Sequence, residues 1–317
     1  MNISPFYCNF SSPKRQPNLP KKTAFYRESD LAFERTSIPT NIKGVVHTIK
    51  RENSVAIRNI EITNEAAEKA IGKPRGQYTT IEFPALWQLT PKLRSTICKS
   101  LCQALDTMAQ PYFHKMKKSE CVVLIVGLGN RHLIADAIGP MASDLIHATY
   151  HIKQTDYAMF QKLDSAGICV LSPGVTGDTG LETCDIICNA AKVIIPNLIV
   201  CIDALVAKSP ERLATTIQLT DAGITPGSGI SAHKKALTKE TTGVPTIAIG
   251  VPTVASAYTL LHDTLFSLGM EEKAKHLYNK KGQTEFFVCP KDIDFSMQAT
   301  AFIIADAINK LWGIPNE

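Results

Sequence analysis

The chain has 317 residues, 44% of them hydrophobic and 20% charged, with a formal net charge of +5. That is enough chain and enough apolar content for a sizeable α/β core, and too modest a charge to argue for nucleic acid. No window of about 18 uninterrupted apolar residues suggests a membrane-spanning helix, and the first residues lack the apolar stretch of a secretory signal.

Residues 1 to about 43 are polar and proline-bearing, with a basic bias from Lys14, Arg15, Lys21, Lys22 and Arg27. They read as an extended or poorly ordered arm. From Ile42 the pattern becomes regular. Val45–Ile49 and Ser54–Thr63 alternate apolar and polar residues and predict a hairpin. Asn64 is placed to cap a short helix ending before Gly72, and residues 77–83 predict a further strand. Thr90-Pro91 opens an amphipathic helix to about Gln110, with Thr90 as N-cap and Pro91 in the first turn.

From Cys121 onward strands and helices alternate. Strands are expected near 121–126, 167–171, 198–202, 215–219, 245–250 and 284–288. Helices are expected near 136–150, 180–192, 233–241, 253–279 and 291–312. This order predicts a three-layer α/β fold: a parallel or mixed sheet flanked by helices, with a small N-terminal β-rich region.

Nine cysteines are scattered through apolar segments without a C-x-x-C pair, so free buried thiols in a reducing compartment are expected. A cytoplasmic location follows from that expectation.

Two stretches carry candidate chemistry. Val122–Val126 is an all-aliphatic run, read as a strand buried on both faces. Gly127 and Gly129 then allow a tight turn, with Asn130 beside them, and Asp136 falls where a helix would begin. A second apolar run, Leu198–Ile202, leads straight into Asp203. Two buried strands would thus each bring one aspartate to the C-terminal edge of a sheet, where open α/β folds keep their chemistry. Two close carboxylates do not both ionise easily. One can take a proton from water while the other, protonated, polarises a carbonyl, which suits peptide hydrolysis without a cofactor. The plainer reading is that each aspartate caps a helix.

Other chemistries fit less well. A dinucleotide fingerprint needs glycine where His132 stands, and no Walker sequence is present. Gly227-Ser228-Gly229 lacks the spacing of a nucleophile elbow, although its glycines would let backbone approach a substrate. Asp136, Asp203 and His132 or His233 offer a possible metal set, but nothing in their spacing requires one.

These residues resemble the spore germination proteases of endospore-forming bacteria. The likeness runs through Gly127–Asn130, Asp136–Pro140, Ser172–Thr183, Ile202–Leu205, Thr216–Gly229 and Gly243–Thr253, with Gly44-Val45, Gly72–Tyr78 and Asp30-Leu31-Ala32 upstream. The resemblance implies an endopeptidase that degrades small acid-soluble spore proteins, which coat DNA, when a spore germinates. It implies an atypical aspartic mechanism with Asp136 and Asp203 essential. It also implies an oligomeric zymogen, a tetramer, that trims its own N-terminus in the forespore, with no membrane and no direct nucleic-acid partner.

Substrates of that family are cut after an acidic residue, in the context acid, aliphatic, alanine, any residue, acid. Asp30-Leu31-Ala32-Phe33-Glu34 has that form, so self-cleavage is expected between Asp30 and Leu31. Residues 1–30 would then be a pro-segment and 31–317 one protease domain, with a β-rich portion to 115 and an α/β core from 116. In a zymogen, some N-terminal segment is expected to obstruct the cleft.

The chain departs from the family pattern at Ile134-Ala135, where Thr-Pro is usual, and at Ala232 or His233, where an asparagine is usual. A hydrogenase-maturation-type endopeptidase and a silent spore-protein scaffold are the alternatives. The long N-terminal half disfavours the first.

Overall fold

A computed structural model describes residues 29–32, 42–113, 115–226, 235–270, 272–273 and 286–315. Among these residues one mixed sheet of nine strands organises the fold. Its N-terminal part is β1 (Val45–Glu52), β2 (Val55–Ile62) and β3 (Gly76–Glu82), a meander with helix α1 (Glu65–Ile71) between β2 and β3. Asn64 caps α1 by accepting the Ala67 N–H at 2.9 Å, and Gly72 closes it in the left-handed conformation. Helix α2 (Pro91–Ala109) begins as predicted, with the Thr90 hydroxyl accepting the Leu93 N–H.

The remaining elements, in chain order, are β4 (Val122–Gly127), α3 (Ile138–Ser143), α4 (Tyr150–Thr155), α5 (Tyr157–Lys162), β5 (Gly167–Leu171), α6 (Thr176–Thr179) and α7 (Thr183–Ile194). Then come β6 (Leu198–Ala207), β7 (Thr216–Thr220), α8 (Lys239–Thr242), β8 (Thr246–Ser256), α9 (Ala257–Ser267), β9 (Phe287–Val288) and α10 (Ile293–Leu311). The strand order is β1-β2-β3-β7-β8-β6-β4-β5, with β9 pairing the end of β8. Strands β8, β6, β4 and β5 run parallel, and β1, β2, β3, β7 and β9 join antiparallel. The N-terminal strands therefore extend the same sheet, because β3 docks on β7.

The two faces bury different partners. Helices α2, α3 and α10 pack on one, over Val123, Ile125, Val200, Ile202, Ile249 and Ile217. Helix α7 covers Leu124, Val126, Ile199 and Cys201 on the other. The all-aliphatic β4 is buried on both faces, as its composition demanded.

Several expectations need correction. The helix expected over 136–150 is a 3-10 turn (Ile134–Asp136), the short α3 and then α4, a separate helix. Instead of continuing, the chain turns in at Thr149, whose hydroxyl donates to the Ala166 carbonyl at 2.6 Å and accepts the Ile168 N–H at 2.9 Å. The helix expected from 180 starts at Thr183, because Gly180 takes the left-handed conformation after α6. The helix expected from 253 starts at Ala257, because β8 runs on beside β6 and pairs β9 at Ala255 and Ser256. Of the helix expected over 233–241, residues 233 and 234 lie outside the described residues and only α8 is seen. Of the strand expected over 284–288, residues 284 and 285 lie outside the described residues and Phe287–Val288 is seen.

The described cysteines are all free, and only Cys289 among them is exposed. Burial pushes the Cys169 thiol up to about 11, and burial with the neighbouring Cys188 does the same for Cys184. Cys201, inside β6, is raised further by its burial. Thiolate is the reactive form. Brief iodoacetamide treatment of the native protein, read by peptide mass mapping, is expected to alkylate Cys289 well before these three. Equal labelling of Cys201 would contradict the packing of β6.

Candidate active site

Strand β4 has β5 on one side and β6 on the other, so the chain reverses its direction across the sheet at β4. A crevice forms at such a switch point, beyond the carboxyl ends of the strands. The loop after β4 lines it. Gly127 closes β4 in register with Ile202, and the Leu128 N–H donates to the Ile202 carbonyl at 2.8 Å. Gly129 sits at φ +111°, and a Cβ there would strike the Asp136 carbonyl oxygen. Only glycine lets the loop double back so tightly on the 3-10 turn.

Asn130 fixes that return. Its N–H donates to Asp136 Oδ2 at 2.8 Å, and its own Oδ1 accepts the His132 N–H at 2.9 Å. The 3-10 turn that carries Asp136 packs against β6 and β8. Asp136 is thus half-buried and held by the loop, rather than standing at the start of a long helix as expected.

Asp203 is placed differently from its expectation too. It lies inside β6 rather than at its end, and it is only 6% exposed. Its Oδ1 accepts the N–H of Ala204 at 2.9 Å. The connection between the aspartates is short. Asp203 follows Ile202, whose carbonyl holds Leu128, and Leu128 precedes Gly129, which touches Asp136. The structure therefore brings Gly127, Gly129, Asn130, Asp136 and Asp203 to one place. Helix α3 closes the floor: a Cβ on Gly139 would lie within 2.5 Å of the Ile202 carbonyl oxygen and the Leu128 nitrogen.

Asp203 shares one face of the sheet with Leu205 and Ala207, by strand alternation. It pairs in register with Gly250 of β8, and Gly250 pairs with Gln218 of β7. Residues in one such row point to the same face. Gln218 therefore stands level with Asp203, and the Leu205 side chain packs over Gly250 between them.

A short stretch of the N-terminal arm occupies this face. Ser29 is 1% exposed, and Leu31 and Ala32 are fully buried. The reading of the arm as extended or poorly ordered does not hold for these residues. Asp30 forms a two-way pair with Val206 of β6: its N–H donates to the Val206 carbonyl at 3.0 Å, and its Oδ2 accepts the Val206 N–H at 2.9 Å. Leu31 packs among Leu205, Ala207, Leu213 and Ala255. Ala32 is enclosed by Ile60, Ile62, Ala67, Ile71 and Tyr78. Full burial of a leucine side chain contributes about 2 kcal/mol, so the stretch is anchored by packing as well as by hydrogen bonds.

The same region of chain is matched by a family model described as Germination protease, over residues 25–283. A germination protease of Caldanaerobacter subterraneus subsp. tengcongensis is 36% identical over 307 residues, covering 89% of this chain and 92% of that protein. One from Clostridium perfringens is 33% identical over 312 residues, covering 89% and 93%. The chain belongs to the germination protease family.

A germination protease of Priestia megaterium is 37% identical over 257 residues, covering 78% of this chain and 68% of that protein. Among solved structures, a [NiFe] hydrogenase maturation protease HycI from Thermococcus kodakarensis KOD1 superposes with a TM-score of 0.34 at 17% identity, covering 64% of this chain and 99% of that one. That likeness is too slight to argue from.

The germination protease match begins just before Ser29 and takes in both aspartates. Gly227, Ser228 and Gly229, with Ala232 and His233, lie outside the described residues. His132 is exposed, and among the described residues no three His, Cys, Asp or Glu side chains gather into a set able to hold a metal ion. No helix of the described residues is long and apolar enough to cross a membrane. Lys73 and Gln218 lie within the Gly72–Tyr78 and Thr216–Gly229 stretches of the family likeness, but the sequence does not pick them out as site residues. Only the assembled fold brings their side chains to the Asp30 carbonyl.

Proposed function

We propose that this chain is an endopeptidase that starts the breakdown of small acid-soluble, DNA-binding spore proteins at germination. Asp136 and Asp203 activate the attacking water, and no cofactor is needed. The chain is made in the forespore as an inactive homo-oligomeric zymogen (a tetramer, by family resemblance) and removes its own residues 1–30. Family membership supports the protease activity. The observation that carries the mechanism is the pair of aspartates on either side of one Leu128–Ile202 hydrogen bond at the switch point of the sheet.

In this reading one ionised aspartate takes a proton from water as the oxygen bonds to the scissile carbonyl carbon. The other, protonated, gives its proton to the departing nitrogen as the C–N bond breaks. A close pair of carboxylates supplies both forms, because the first charge opposes the second.

Intact mass against time tests the proposal. At mildly acidic pH the full chain is expected to lose the segment ending at Asp30 and to leave a product beginning at Leu31. A chain that stays intact, and that also fails to cut a peptide of sequence 28–36, would sink the protease reading.

A further inference from the structure

The Asp30 carbonyl, at the bond assigned to cleavage, has two side-chain donors. Lys73 Nζ donates to its oxygen at 2.7 Å, and Gln218 Nε2 donates to the same oxygen at 3.3 Å. Gln218 also faces the chain two residues on: its Oε1 accepts the Ala32 N–H at 2.8 Å. One amide thus spans Leu31, reading the main chain on both sides of it. Between these contacts the Leu31 N–H turns back to the Ser29 hydroxyl at 3.1 Å.

Both donors are positioned by local structure. Lys73 follows the left-handed Gly72 that ends α1, and precedes Pro74, whose carbonyl accepts the Tyr78 hydroxyl at 2.7 Å. Gln218 is 5% exposed within β7, in the row that contains Gly250 and Asp203. Gln218 thus holds the Asp30 carbonyl on the face that carries Asp203, with Leu205 packed over Gly250 between them.

We propose that Lys73 and Gln218 are the residues that grip a peptide main chain at the bond to be cut. The niche filled by Ser29–Ala32 is then the one that receives the acidic–aliphatic–alanine stretch of a protein substrate. This rests on the protease reading above and deepens it. The Val206 backbone N–H receives the acidic side chain, the Leu205–Leu213 cluster receives the aliphatic one, and the closed pocket around Ala32 admits alanine and excludes larger residues. When water adds to the carbonyl carbon, the C=O electron pair moves to the oxygen that Lys73 and Gln218 already hold. A cation and an amide placed at developing negative charge lower that barrier. Collapse re-forms the C=O bond and expels the Leu31 nitrogen, which leaves protonated.

The test uses the full chain with Lys73→Met, Lys73→Arg, Gln218→Ala and Gln218→Glu, each checked for native circular dichroism. Two readouts are taken: intact mass at mildly acidic pH, and amide hydrogen exchange of residues 29–32 at neutral pH. Lys73→Met is expected to slow cutting by about a hundredfold, the scale of one lost oxyanion donor, with Lys73→Arg restoring part of the rate. Gln218→Ala is expected to speed exchange at Ala32 by roughly tenfold, the scale of one lost hydrogen bond. Gln218→Glu keeps an acceptor for Ala32 but loses the donor to Asp30, so it should slow cutting while leaving Ala32 protected. Cutting and exchange both unchanged in Lys73→Met and Gln218→Ala would overturn the proposal. Exchange that responds to the substitutions while the wild type is never cut at Asp30 would overturn the assignment of that bond as the one gripped for cleavage.

Discussion

Asp203→Asn is expected to leave the protein folded and to slow cleavage between Asp30 and Leu31 by roughly four orders of magnitude, the scale of losing one member of a catalytic group. The fold should survive because the substitution is nearly isosteric. The asparagine carbonyl can still accept the Ala204 N–H that Asp203 Oδ1 accepts at 2.9 Å. No charge is left stranded at a position only 6% exposed, because the variant side chain is neutral. An amide can neither take a proton from water nor exist in the two protonation states that the proposed pair requires. The rate is read by intact mass, and the fold by thermal unfolding. A variant that trims its N-terminus within tenfold of the wild-type rate would remove Asp203 from the mechanism. Simultaneous loss of the cooperative transition would instead assign it a structural role.

Gly139→Ala should produce the largest loss of stability. A Cβ at this position would lie within 2.5 Å of the Ile202 carbonyl oxygen and of the Leu128 nitrogen, and closer still to the Leu128 carbonyl. All three are backbone atoms, of β6 and of the residue just after β4, which cannot rotate aside as a side chain would. Relief requires α3 to move off β4 and β6, or the Leu128–Ile202 hydrogen bond to break. Overpacking of a rigid site commonly costs 1–3 kcal/mol, and this contact falls at the upper end, about 3 kcal/mol. Urea unfolding measures it directly. The change also reaches the candidate site, since that hydrogen bond ties the loop of Asp136 to the strand of Asp203. An unfolding free energy within about 0.5 kcal/mol of wild type, the scatter of ordinary surface substitutions, would show that α3 does not depend on this close approach.

Much of this fold is legible in residue order. The aliphatic run Val122–Val126 could only be a strand covered on both sides, and it is one. Thr90-Pro91 and Asn64 mark helix starts through their own side chains, so no distant contact is needed to read them. Gly127, Gly129 and Asn130 announce a tight turn at the end of that strand, and the apolar runs ahead of Asp136 and Asp203 singled out both aspartates. The Asp30-Leu31-Ala32 stretch was visible as a sequence pattern as well.

Tertiary structure decided the rest, because it depends on which strands become neighbours. Periodicity placed Asp203 at the end of a strand. The run continues to Ala207 because β6 and β8 stay paired past the site, through a register shift after Leu205. Alternation suggested a small N-terminal β-rich portion but not how it joins the core; β3 finds its edge on β7 and extends the one sheet. The burial of Ser29–Ala32 was beyond the reach of any local signal. It arises from Val206, Gln218 and Lys73, which stand between 41 and 189 positions away along the chain and meet only across the assembled sheet. Local patterns reveal what a segment prefers to be. Register, and the packing of side chains across paired strands, determine what it touches.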